Sequence, residues 1–67
     1  MSLYSRLAEY RKKLGINQTE MGALVGTSRQ TISQIERGDY SPSLELAMKI
    51  AHVCDATVED IFYEVDK

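Results

Sequence analysis

Tryptophan is absent from this 67-residue chain, and proline and cysteine occur once each, as Pro42 and Cys54. A single cysteine excludes an intrachain disulfide, so the fold must hold without a covalent staple, which suits a reducing cytoplasm. β-branched residues never gather in alternating runs, and with proline almost missing this favours an all-α fold with short turns. No segment approaches the roughly 20 apolar residues that span a bilayer. The opening MSLYSRLAEYRKKLG is charged within six residues and has no apolar run, unlike a secretory leader. These absences predict a soluble, cytoplasmic protein with no membrane partner. The length allows one domain over residues 1–67, and a domain of this size buries only about 60% of its unfolded surface.

Positive charge is scarce overall: the net charge is −2. It is also unevenly placed. Met1 to Gly38 holds six Lys/Arg against three acids, a balance of +3, whereas Asp39 to Lys67 holds two lysines against seven acids, a balance of −5. Such asymmetry implies one cationic and one anionic face, and it is the local field that governs phosphate binding.

Apolar spacing and end signals divide the chain into five short helices. Leu3, Leu7, Tyr10 and Leu14 recur at helical intervals and predict a first helix from about Ser2 to Leu14, stopped by Gly15. Asn17 with Glu20 three residues later is a capping-box signature for a second helix carrying Met21, Leu24 and Val25. Gly26 ends it, and Ser28 is the natural N-cap of a third helix from Arg29 to Glu36 or Arg37. Ser43 starts a fourth, LELAMKIAHV, with Leu46, Ala47, Ile50 and Val53 inward. Thr57 and Asp60 cap a last helix, VEDIFYE. The core is expected from Leu7, Leu14, Met21, Leu24, Ile32, Ile35, Leu46 and Ile50.

The third helix has only Ile32 and Ile35 as apolar residues. Its polar side chains, Arg29, Gln30, Thr31, Ser33 and Gln34, are not the Glu/Lys mixture of a solvated face. Arginine and glutamine make paired hydrogen bonds to guanine and adenine edges in the major groove, and serine and threonine bond either base type. No acid stands between Arg29 and Ile35, where phosphate repulsion would be worst. The three-residue joint GTS makes the second and third helices, residues about 18–37, a candidate helix-turn-helix.

From NQTEMGALVGTSRQTISQIERGDYSPSLELAMKIA and the closing EDIF, the chain resembles the Cro/CI (XRE-like) helix-turn-helix regulators, over about Leu7 to Phe62, most of all their compact single-domain repressors. The resemblance implies a five-helix, lambda-repressor-like DNA-binding bundle. It implies base reading by Arg29, Gln30 and Gln34, with Thr31 and Ser33 shared between base, water and phosphate. Phosphate contacts are implied at Gln18, at Arg37 and in the loop with Tyr40 and Ser41, and Asn17 and Ser28 at the helix starts join that set. Arg11 and Glu36 match a salt-bridged pair that holds the third helix. Gly22 stands where the family usually has alanine; either residue is expected to be small enough there.

Double-stranded DNA is therefore the expected partner, and a repressor acting as a homodimer on a palindromic operator is the leading reading. Val58, Ile61, Phe62, Tyr63 and Val65 are more apolar side chains than one short terminal helix can bury, which marks residues about 57–67 as the expected dimerisation segment. An antitoxin-like or accessory protein-interaction module on the same fold is the alternative. Other chemistry is thinly supplied. His52 and Cys54 are too few for a metal site, Glu59 and Asp60 read as helix-cap carboxylates, and no nucleophile–base set exists. No enzyme activity, cofactor or small-molecule effector pocket is expected.

Overall fold

The computed structural model describes residues 2–65, the side chains of Ser2 and Val65 excepted. The elements run β1 (Ser2–Ser5), α1 (Leu7–Leu14), α2 (Gln18–Val25), α3 (Arg29–Arg37), α4 (Leu44–Val53), α5 (Val58–Ile61) and β2 (Phe62–Val65). The five helices stand where their caps place them. Asn17 accepts the Glu20 N–H at 2.7 Å while the Glu20 carboxylate accepts the Asn17 N–H at 2.8 Å. Ser28 and Ser43 cap α3 and α4 by accepting the N–H groups of Thr31 and Leu46. Thr57 and Asp60 close a second reciprocal box on α5. Hydrogen bonds from the Thr57 backbone, then from its hydroxyl, hold the Asp60 carboxyl below its ordinary pKa.

Both ends of the chain depart from the all-α expectation. Ser2–Ser5 and Phe62–Val65 form an antiparallel two-stranded sheet, with Leu3 opposite Glu64, Tyr4 opposite Tyr63 and Ser5 opposite Phe62. The first helix therefore begins at Leu7, and the last is a single turn ending at Ile61. Leu3 and Leu7 lie four apart, which suits a helix, but Ser5 Oγ accepts the Leu7 N–H at 3.0 Å and starts the helix there. The Arg6 N–H donates to the Ile61 carbonyl at 2.7 Å, tying the two chain ends together. On the outer face Tyr4 stacks on Tyr63 with ring centroids 5.6 Å apart, and the Arg6 guanidinium lies 4.3 Å over the Tyr63 ring. Such cross-strand aromatic and cation–π contacts stabilise a short strand pair.

The core gathers Leu7, Met21, Val25, Ile32, Ile35, Ala47, Ile50, Ala51, Cys54, Ile61 and Phe62. Burial also raises the pKa of the Cys54 thiol. Two expected core members lie outside: Leu14 is 44% exposed and Leu24 59% exposed. Ile61 and Phe62 take their place. Ile61 is fully buried and Phe62 only 8% exposed, so the terminal segment packs its large side chains within the protomer. Ile61 at the end of α5 and Phe62 at the start of β2 both point inward.

Gly22 is held more tightly than its helix position suggests. A Cβ there would lie 2.6 Å from the Thr27 carbonyl oxygen and 3.1 Å from the Ser28 carbonyl carbon, both backbone atoms. Alanine does not fit unless the turn moves, which corrects the expectation that either small residue is accommodated. The close approach brings the Thr27 N–H to the Gly22 carbonyl at 2.8 Å and lets α3 follow directly on α2. Gly26, at φ +79°, supplies the left-handed residue that ends α2.

Candidate nucleic-acid interface

The third helix, α3, is fixed from beneath. Ile32 and Ile35 are buried, and their burial turns the opposite side of the helix outward. Gln30, Ser33, Gln34 and Arg37, spaced three, four and seven residues from the first, share that outer side, with Arg29 at the helix start. Arg29 and Gln30 are exposed, and Thr31, Ser33 and Gln34 are half-buried. The five candidate base-reading residues thus lie on one short helix but differ in freedom. The Thr31 and Ser28 hydroxyls lie 3.1 Å apart. The Ser33 hydroxyl accepts from Arg37 Nη1 at 2.8 Å. Among the described residues, the side chains of Arg29, Gln30 and Gln34 make no hydrogen bond or ion pair.

The Arg11–Glu36 pair sets where α3 sits. Arg11 Nε donates to Glu36 Oε2 at 2.7 Å and Nη2 to Oε1 at 3.3 Å, while Nη1 donates to the Ile16 carbonyl at 3.0 Å. The two side chains are only 13% and 8% exposed. Hydrogen bonding to Glu36 raises the pKa of Arg11 against the opposing effect of burial. Gln18 joins this pair, donating Nε2–H to Glu36 Oε1 at 3.1 Å. One clamp therefore links α1, the start of α2 and α3. The primary amide of Gln18 has a second N–H, so the clamp and a phosphate contact are compatible.

Of the remaining candidate phosphate ligands, Asn17 and Ser28 act as N-caps at the starts of α2 and α3. Tyr40 is 45% exposed, and Ser41 is also exposed. Arg37 is engaged within the protein: its Nε donates to Asp39 Oδ2 at 3.0 Å. Both partners are well exposed, so the pair is weak and open to exchange.

The expected dimer segment is dispersed. Ile61 and Phe62 belong to the core, Val58 is packed partly against it, and Tyr63 is half-buried beside Tyr4 and Arg6. The Val65 side chain lies outside the described residues. Residue reasoning also missed an apolar groove of about 730 Å³ between α2 and α4, lined by Leu24, Leu44, Met48 and Val53. Leu44 and Met48 stand one turn apart and off the Ala47–Ile50–Ala51 stripe, which was the available signal. Among the described residues no group of three metal-ligating side chains occurs, and no helix is long and apolar enough to cross a membrane.

Residues 7–61 match the family model described as helix-turn-helix. An HTH-type transcriptional regulator of Archaeoglobus fulgidus is 48% identical over 58 residues, covering 87% of this chain and 83% of the relative. The regulator YgzD of Bacillus subtilis is 42% identical over 59 residues, covering 88% and 89%. Among solved structures, the P22 c2 repressor in complex with a synthetic operator superposes with a TM-score of 0.78 at 33% identity, over 81% of this chain and 82% of that one. With α2, a three-residue turn and α3 in the matched span, the chain belongs to the helix-turn-helix family, in its Cro/CI (XRE-like) branch of DNA-binding transcriptional regulators.

Proposed function

We propose that this protein is a repressor that binds a near-palindromic operator as a homodimer, placing α3 in the major groove of each half-site. The observation that carries the reading is the outer side of α3, where Arg29, Gln30 and Gln34 have no internal partner among the described residues, on a helix that Ile32, Ile35 and the Arg11–Glu36 pair hold in place. Groups left unpaired on a fixed helix can turn to base edges without breaking an internal contact. The likeness to an operator-bound repressor supports the same role. Gln18, Arg37, Tyr40 and Ser41 are assigned to phosphates, with Asn17 and Ser28 presenting helix N-termini to the backbone. One recognition helix reads too few base pairs for a unique address, and a two-fold dimer with half-sites one helical turn apart doubles the site.

Salt titration of binding to the DNA upstream of the protein's own gene tests this. Affinity should fall linearly in log–log form, and Arg37→Ala should flatten the slope by about 0.9 per protomer, one phosphate's worth. Asp39→Asn, which frees Arg37, should tighten binding to all sequences. No salt-dependent binding to any duplex would reject the function, and an unchanged slope for Arg37→Ala would remove that residue from the phosphate set.

A further inference from the structure

We propose that the groove between α2 and α4 seats a second copy of this chain, with the two α4 helices running antiparallel about a two-fold axis. The inference rests on the dimeric reading above and supplies the surface which that reading lacks, since Ile61 and Phe62 are spent in the protomer core. Leu44 is 73% exposed, Leu24 59% and Met48 57%, and all three line the one groove. Together they form one contiguous exposed apolar patch, where exposed apolar side chains on a monomer are ordinarily scattered singly.

Charge complementarity favours a copy of the same chain as the occupant. Glu45 and Lys49 flank Leu44 and Met48, one turn apart on α4, with Nζ and Oε2 at 3.5 Å and both side chains more than half exposed. In an isologous contact residue i meets j while j meets i. Antiparallel α4 helices therefore set Glu45 of each copy beside Lys49 of the other, twice per dimer, along a shared Leu44–Met48 seam. The groove carries an apolar stripe and its own complementary charges.

A charge-swap pairing tests the seam. A Glu45→Lys chain presents two cations along it and a Lys49→Glu chain two anions. Each alone should self-associate at least about tenfold more weakly than wild type, and the equimolar mixture should recover wild-type association. An intrahelical role for the pair cannot produce this rescue between chains. In sedimentation at tens of micromolar, wild type should be a dimer, Met48→Glu a monomer with unchanged circular dichroism, and Tyr63→Glu still a dimer. A wild-type monomer under these conditions overturns the proposal and leaves the groove to another protein or a small apolar ligand. A dimer indifferent to Met48→Glu, with no rescue in the mixture, overturns it equally. These measurements need no DNA, so a dimer that responds as described but binds no duplex would reject the proposed function and leave this inference standing.

Discussion

Replacing Glu36 with alanine should cost about 3 kcal/mol of unfolding free energy, the lower end of what breaking a buried ion pair costs. Arg11 would keep its charge, because no ordinary pH neutralises a guanidinium, and would keep one hydrogen bond, to the Ile16 carbonyl. It would lose both contacts to Glu36, and Gln18 would lose its acceptor at the same stroke. At 13% exposure the Arg11 side chain has little water to compensate. The loss measures an orphaned charge rather than the strength of the pair. The double variant Arg11→Met with Glu36→Leu should therefore recover most of it, since apolar replacements of buried pairs are often neutral or better. Urea unfolding followed by circular dichroism separates the cases. A loss under about 1 kcal/mol for Glu36→Ala would place the pair with exposed surface bridges. DNA affinity should fall with stability in the single variant, because the clamp joins α3 to α1 and to the start of α2.

Ile61→Ala should cost about 2–5 kcal/mol, the range for removing a fully buried branched side chain. A 67-residue domain at ordinary stability has only about 3–10 kcal/mol in total, so this one change should leave a large unfolded fraction at modest urea. Ile61 has no exposed surface, and it ends α5 where the Arg6 N–H takes its carbonyl at 2.7 Å. Truncation opens a cavity at the joint between α5, β1 and β2. Ile61→Val should lose only about 0.5–1.5 kcal/mol. Folded Ile61→Ala protein should sediment like wild type, because the side chain belongs to the core. A variant as stable as wild type but shifted to monomer would return Ile61 to a subunit interface.

The middle of the chain was readable because each element there carries its own punctuation. Asn17 with Glu20, Gly26, Ser28, Gly38 and Ser43 set helix ends by local hydrogen bonds or left-handed φ, and these depend little on the rest of the fold. Both chain ends misled for a shared reason. A four-residue strand offers too few positions for a period of two to show, and the pairing of Ser2–Ser5 with Phe62–Val65 joins segments at opposite ends of the sequence. Leu3 fits a helix with Leu7 as well as it fits a strand, and the pairing with the far end of the chain decides between them. Misplacing the tail also misplaced its burial, and with it the surface assigned to dimerisation. Leu14 stands in the last turn of α1 and Leu24 on the groove beside α4, and spacing alone does not reveal that both are exposed. In the candidate site, the residue types of α3 pointed to base edges. Which of them are already engaged emerged only from side-chain geometry, as with Ser33 held by Arg37 one turn on and Arg37 by Asp39 two residues on.

The central claim is that α3 reads bases through Gln30 and Gln34. Selection of bound duplexes from a random pool tests it most directly, comparing wild type with Gln30→Ala and Gln34→Ala. Wild type should enrich one two-fold symmetric motif. Each variant should lose preference at one position per half-site, with about 1–3 kcal/mol of specific affinity lost and the rest of the motif kept. A motif unchanged by both substitutions, or weakened uniformly at every position, would contradict the assignment of α3 as the reading helix.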